Sequence, residues 1–367
     1  MFNKVAIIGT GLMGGSLAMA LKECGEVAEV SVFDADSQTR KAARKLGIAD
    51  TYAHDPAEAA RGCDLLVLAT PIGQMIGALD KALPAIEPPA ILTDLASAKI
   101  GIMRSIRDTI PTGVRYVGGH PMTGSEQSGV HFARADLFRD RYYILTPDEL
   151  TDTDAFQRLH SLLTRIGARV ISMDPESHDR AMATVSHVPH LLSLLLMEMA
   201  AREQERMKNI YTLAAGGFRD MTRIAASNPG MWLDIIAENR VLVIERLKDY
   251  SAAVDRLIDM LEKDDQAALE TLFVQASEAR RELTRKSGAE ISELYAISLP
   301  VPDEPGVISR ITMAVGSLGV NIEDISIAHP LEGETGIMTL SVLGEEAARE
   351  AATHLESAGY RVSMGKA

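Results

Sequence analysis

Residues 4–21 restrict the fold more than any other stretch of the chain. Lys4-Val5-Ala6-Ile7-Ile8 is a continuous apolar run, the pattern of a strand buried on both faces. It leads directly into Gly9-Thr10-Gly11-Leu12-Met13-Gly14-Gly15-Ser16, and the helical pattern Leu17 to Leu21 follows. In this strand–turn–helix setting a G-x-G-x-x-G segment binds a dinucleotide. Gly9 allows the tight turn, Gly11 lets backbone amides reach a pyrophosphate, and Gly14 lets the helix pack on the strand. Leu12 and Met13 fill the turn beside that phosphate. A second strand, Glu29 to Phe33, ends at Asp34, 20 residues beyond Gly14. A carboxylate there accepts a hydrogen bond from the adenine ribose 2'-hydroxyl and repels a 2'-phosphate. Asp36 follows and no arginine precedes Arg40, so the expected cofactor is NAD. The competing reading is an α/β domain with a glycine-rich turn and no phosphate ligand.

The alternation continues as far as about residue 174. Asp64 to Ala69 reads as a strand ending at Thr70-Pro71, and Pro89 to Thr93 as another ending at Asp94-Leu95-Ala96-Ser97. Arg115-Tyr116-Val117 reads as a third, ending in a glycine turn. Ligands of open α/β sheets sit beyond the carboxyl ends of the strands. Thr70, Pro71, Ser97 and His120 are therefore expected around one crevice. The strands Tyr142–Thr146 and 168–173, with a helix between them, complete the sheet, and Pro175 marks the boundary. The expected first domain is an α/β Rossmann-type dinucleotide-binding domain over 1–174.

The stretch Gly118 to Gly129 is the most chemically loaded of these strand ends. Histidine takes a proton near neutral pH, and His120 is followed by Pro121, Thr123, Ser125, Glu126 and Ser128. The bland alternative is a polar surface loop whose histidine is idle. Ser97 has two compatible roles: N-cap of a helix over Ile100 to Ile110, or a hydrogen bond to a substrate hydroxyl.

From 175 to 290 the period becomes helical, as in an all-α domain. Ser186-His187-Val188-Pro189-His190 places two histidines three apart, but no carboxylate or cysteine accompanies them, so no metal is expected. His190 facing the crevice is the functional reading, and a capping or buried histidine the alternative. Arg219 and Arg223 stand four apart and could clamp a carboxylate from one helix face. A solvated face with Asp220 paired to Arg223 explains the same residues. A single helix from Trp232 to Leu261 carries a long apolar stripe, which suggests burial against a second copy in a homodimer.

The tail, 291–367, reads as a small βαββαβ module of ferredoxin-like topology. It holds no catalytic constellation, so a binding or regulatory role is expected. The net charge of −14, without a Lys/Arg cluster, argues against nucleic acid and anionic membranes. Leu191 to Met199 is too short to span a bilayer. Two cysteines without a CxxC exclude a disulfide framework, and a cytoplasmic protein is expected.

Taken together, these segments resemble the prephenate/arogenate dehydrogenases of tyrosine biosynthesis carrying a C-terminal ACT domain. The matching segments are GTGLMGGS at Gly9, ATP at Ala69, DLASAK at Asp94, GGHPMTGSEQSG at Gly118, SHVPH at Ser186 and GGFRDMTRIAASNPGMW at Gly216. The resemblance implies NAD-dependent oxidative decarboxylation of prephenate and/or arogenate, with His120 as base and Ser97 orienting the hydroxyl or the imidazole. It implies that Arg223 holds a substrate carboxylate, with Arg219 the weaker candidate. It places His190 on the opposite wall, supported by His187, with Trp232 near the same pocket. Glu126, six residues beyond His120, is expected at the mouth of the same site, the alternative being that it faces solvent or pairs with Arg134. In the tail it implies an effector loop at Asp303, Gly306 and Asn321, with L-tyrosine as the expected effector.

Overall fold

The computed structural model describes residues 2–124, 127–286, 294–302, 304–328 and 335–366. Glu126 and Asp303, both expected at binding sites, lie outside the described residues. The chain divides into two compact units, one up to Val254 and one from Asp255.

The first unit is built on an eight-stranded sheet: β1 (Phe2–Ile8), β2 (Val27–Phe33), β3 (Thr51–Tyr52), β4 (Leu65–Leu68), β5 (Ala90–Asp94), β6 (Val114–Pro121), β7 (Tyr142–Thr146) and β8 (Arg169–Ser172). The spatial order is β3-β2-β1-β4-β5-β6-β7-β8. The first six strands are parallel, and β7 pairs antiparallel with β6. The order reverses between β1 and β4, which opens the crevice at their carboxyl ends. Apolar side chains alternate to the two faces and pack under helices on each. Ile7, Val67 and Leu17 belong to one core; Ile8, Leu68, Leu92 and Met103 belong to the other.

The expected glycine turn after Val117 is absent. β6 continues through Gly118, Gly119 and His120 to Pro121, with Gly119 opposite Leu145 and His120 opposite Ile144. The two glycines serve close packing. A Cβ on Gly119 would lie 2.7 Å from the Asp94 carbonyl oxygen, and one on Gly118 would collide with Thr146. His120 is thus a strand residue in a crowded interior, not a loop residue.

The helical part of this unit includes the helices Pro175–Met182, Val188–Arg206, Ile210–Leu213, Gly216–Thr222 and Pro229–Glu238, and Arg240–Glu262 as far as Val254. A π-helical turn, Ala183–His187, joins the first two. Pro189 lacks the N–H that a regular helix would need there. The single helix expected from Trp232 to Leu261 is two helices, broken at Asn239. Asn239 is buried, and its side chain bonds inward. Val243 packs with Ala183 and Val188, whereas Leu233, Val241 and Ile244 remain exposed.

In the second unit, the strands β9 (Leu294–Pro302), β10 (Ile322–Ala328), β11 (Thr335–Leu343) and β12 (Ser363–Lys366) form an antiparallel sheet in the order β10-β11-β9-β12. The helices Val307–Gly316 and Glu345–Ser357 cover it, burying Ile311 and Leu355 against Ile297, Leu299 and Leu340. This is the ferredoxin-like βαββαβ arrangement.

Candidate active site

The carboxyl ends of β5 and β6 hold a buried polar core. The Asp94 carboxylate accepts from the Tyr116 hydroxyl at 2.6 Å and the Ala96 amide at 2.8 Å, and is paired with the Lys99 ammonium. Lys99 is completely buried and also donates to the Gly119 carbonyl at 2.7 Å. Its ammonium therefore ties β5 to β6 one residue before His120. Burial pulls the Lys99 pKa down, and Asp94 opposes that pull.

His120 is 9% exposed, and its Nδ1 lies 2.8 Å from Nε2 of His178. The Nδ1 of His178 lies 2.7 Å from Asp179 Oδ1. Burial pushes the His120 pKa well below the ordinary histidine value, and His178, Lys99 and His187 push the same way. His120 is accordingly a neutral imidazole at physiological pH, the form that can take a proton.

Asp179 also overturns one of the two roles read for Ser97. The helix Ile100–Thr109 is capped by the Asp179 carboxylate, which accepts from the Lys99 amide at 2.7 Å and the Ile100 amide at 2.8 Å. The anion from the helical segment satisfies the first-turn donors. Ser97 is left half-buried in the loop between Asp94 and Lys99.

His190 stacks on Trp232, with ring centroids 3.6 Å apart and planes within 5°. His187 meets the same indole edge-on at 6.1 Å. Burial lowers the pKa of His190 and brings that of His187 to about 4. His190 Nδ1 and the Trp232 indole N–H are buried without a hydrogen-bond partner, polar atoms that a ligand can satisfy. Trp232 and Arg223 line a cavity of about 600 Å³ together with Leu12, Gly124, Phe132 and Arg134. Arg223 opens a short 3-10 turn after the helix Gly216–Thr222. Arg219 is exposed on that helix and does not line the cavity.

The glycine turn fits a dinucleotide. Gly9 has φ +101°, and a Cβ there would strike Ala69 at 2.7 Å; a Cβ on Gly14 would collide with the Gly9 carbonyl. A Cβ on Gly11 would enter open space, and no side chain caps the helix Leu12–Cys24 that follows. Its first-turn amides are therefore available to an anion. Asp34 sits beside the turn, accepting from the Thr10 amide at 2.7 Å. Met13 packs on the sheet core, Pro71 precedes the helix Ile72–Ala82, and the buried Thr70 hydroxyl has no partner. In the tail, Gly306 has φ +87° at the start of its helix, and Asn321 donates to Glu323 at 2.7 Å.

Comparison with known proteins agrees with this architecture. The nucleotide-binding domain of prephenate dehydrogenase matches residues 17–172, its dimerization domain residues 174–275, and the ACT domain residues 295–357. A Bacillus subtilis prephenate dehydrogenase is 32% identical over 97% of this chain and 96% of its own. The chain belongs to the prephenate dehydrogenase family. A cyclohexadienyl dehydrogenase of Zymomonas mobilis is 33% identical, covering 76% of this chain and 95% of its own. The crystal structure of an A. aeolicus prephenate dehydrogenase, in complex with hydroxyphenyl propionate and NAD+, superposes with a TM-score of 0.73 and 27% identity. It spans 77% of this chain and 99% of that one.

Like other prephenate dehydrogenases, this chain has an NAD-binding domain. Sequence reasoning missed Asp94, Lys99, Tyr116, His178, Asp179 and Asn239 as parts of its site. The signals were faint: Asp94 and Lys99 close the DLASAK segment at both ends, and His178-Asp179 is an adjacent titratable pair opening the helical region.

Proposed function

We propose that the chain oxidises prephenate to 4-hydroxyphenylpyruvate and CO2, with His120 as the general base. The observation that carries this reading is His120 itself: a buried imidazole at the carboxyl end of β6, with its Nδ1 2.8 Å from His178. The backbone amides after Gly11, with Asp34 and Thr70, hold NAD. When bound, that cofactor accepts the hydride from ring carbon C4. His120 takes the C4 hydroxyl proton, and Ser97 orients that hydroxyl. Arg223 holds a substrate carboxylate in the cavity it shares with Trp232. Loss of the ring carboxylate as CO2 leaves its electron pair in the ring, which becomes aromatic. Prephenate loses one hydride and one CO2 and gives up no net proton, so His120 returns its proton to the phenolate oxygen.

Arogenate is the second substrate we assign, because the Glu126 carboxylate, six residues after His120, would attract its ammonium. An unchanged arogenate-to-prephenate ratio of kcat/KM in Glu126→Gln would remove that assignment. The exposed apolar residues Leu233, Val241 and Ile244 support a homodimer through the helical segment. The ACT domain supports small-molecule regulation, for which we propose L-tyrosine. We place the chain in the cytoplasm, where Cys24 and Cys63 stay reduced. The decisive assay is NADH formation with prephenate. His120→Asn should bind NAD normally and lose about 10²–10⁴-fold in kcat. A variant keeping more than half its turnover would remove His120 from this role.

A further inference from the structure

We propose that His178 and Asp179 fix the tautomer of His120 and hold its proton inside the site during turnover. The inference rests on His120 being the base, and it follows from donors and acceptors alone. Asp179 receives backbone N–H groups on both oxygens, from Lys99 and Ile100. Such donors cannot be turned round, so both carboxyl oxygens act as acceptors. Its Oδ1 also lies 2.7 Å from His178 Nδ1, so that nitrogen carries a hydrogen. His178 is fully buried, and burial disfavours its charged form. A neutral His178 with hydrogen on Nδ1 has its lone pair on Nε2. That lone pair lies 2.8 Å from His120 Nδ1, so His120 must donate there. The remaining nitrogen of His120, Nε2, then carries the lone pair a general base needs. A carboxylate two rings away thus selects the reactive nitrogen.

Neighbouring contacts hold this chain in place. Asn239 donates to the Asp179 carbonyl at 2.7 Å and lies 3.1 Å from His187 Nδ1. Lys99 and His187 face His120, and both favour its neutral form. When Nε2 binds the hydroxyl proton, the new imidazolium points its Nδ1–H at His178, with the Asp179 carboxylate behind. Asp179 is 1% exposed and His178 0%, so the relay stores the proton rather than exporting it. Storage is what the reaction needs, because the same proton returns to the phenolate oxygen as its bond to Nε2 breaks.

The test uses the full-length chain with NAD bound, its histidine ring nitrogens read by 15N NMR. In the wild type, His120 should show a protonated Nδ1 and an unprotonated Nε2. His178→Phe keeps an aromatic ring but removes the acceptor. It should mix the two tautomers and lower kcat about 10²–10⁴-fold, with KM for prephenate and NAD affinity within about twofold. His178→Gln offers an amide oxygen to His120 and an N–H to Asp179. It should restore the tautomer and recover at least about tenfold of the lost rate, yet stay below wild type because an amide cannot take the proton. A wild-type His120 protonated on Nε2, or equal losses in the Phe and Gln variants, would overturn the proposal. If His178→Phe does not fold, the wild-type and Gln spectra decide. If the wild type does not oxidise prephenate at all, the proposed activity fails, and the spectra still judge the tautomer.

Discussion

The Lys99–Asp94 pair offers a quantitative check on what holds His120 in position. Both side chains have no exposure, and Lys99 donates to Asp94 and to the Gly119 carbonyl. Lys99→Met keeps the stem and removes the charge. Asp94 would retain the Tyr116 hydroxyl and the Ala96 amide, but its buried negative charge would be unpaired. Breaking a buried pair in this way costs about 3–5 kcal/mol, a large share of the roughly 5–15 kcal/mol that stabilises a typical fold. Asp94→Asn should cost about as much, because it strands the ammonium instead. The double variant removes both charges and should recover about 2–4 kcal/mol of the summed losses. The assay is urea unfolding followed by circular dichroism, with ΔΔG taken from the midpoints where the slope m is unchanged. Single variants within about 1 kcal/mol of wild type, or a double variant equal to the sum, would refute a charge pair that depends on its partner.

Further outcomes follow from the structure. Arg223→Ala should raise KM for prephenate with little change for NAD, and Arg223→Lys should not rescue it, because a lysine lacks the planar fork; a shift in the NAD term instead would place Arg223 elsewhere. Burial lowers the pKa of His120, His178, His187 and His190, to about 4 for His187. The unfolded chain binds protons below about 6.5 while the folded chain resists them, so stability is complete above that pH and falls below it, by up to about 1.4 kcal/mol per unit per histidine. Melting temperatures at pH 7.5, 6.5 and 5.5 should therefore decline on the acid side, and a flat profile would contradict the burial argument. The acid limb of kcat/KM should likewise lie below pH 6.5, since a lowered pKa keeps His120 deprotonated further down. Gly306→Ala, at φ +87°, should cost about 1–2 kcal/mol locally and weaken L-tyrosine binding in calorimetry while prephenate turnover stays within about twofold; intact tyrosine binding would move the effector site.

The sequence by itself determined the parts governed by local rules. Lys4 to Ile8, the glycine turn and Asp34 lie within one strand–turn–helix–strand unit, so spacing alone pointed to a cofactor end of the sheet. The ferredoxin-like order of the tail followed in the same way, from alternating strand and helix periods. His120, Arg223 and Trp232 stood out as candidates because unusual side chains cluster in short segments. Tertiary structure decided where those side chains sit and what they touch. The glycines before His120 read as a turn, yet they are strand residues kept bare because Asp94 and Thr146 press against them. Ser97 read as a helix cap, yet the cap is Asp179, which stands 80 residues beyond the amide of Lys99 that it binds. Asn239 read as one more position in a long helix, yet it interrupts that helix and bonds to Asp179 and His187. Each of these contacts joins residues far apart in the chain, and hydrogen-bond partners at that separation leave no periodicity in the sequence. Burial decided the rest. A histidine's charge depends on the water and charges around it; the packing of the helical segment against β5 and β6 helps bury His120 and brings His178 to it, while Lys99 reaches it from the loop after β5.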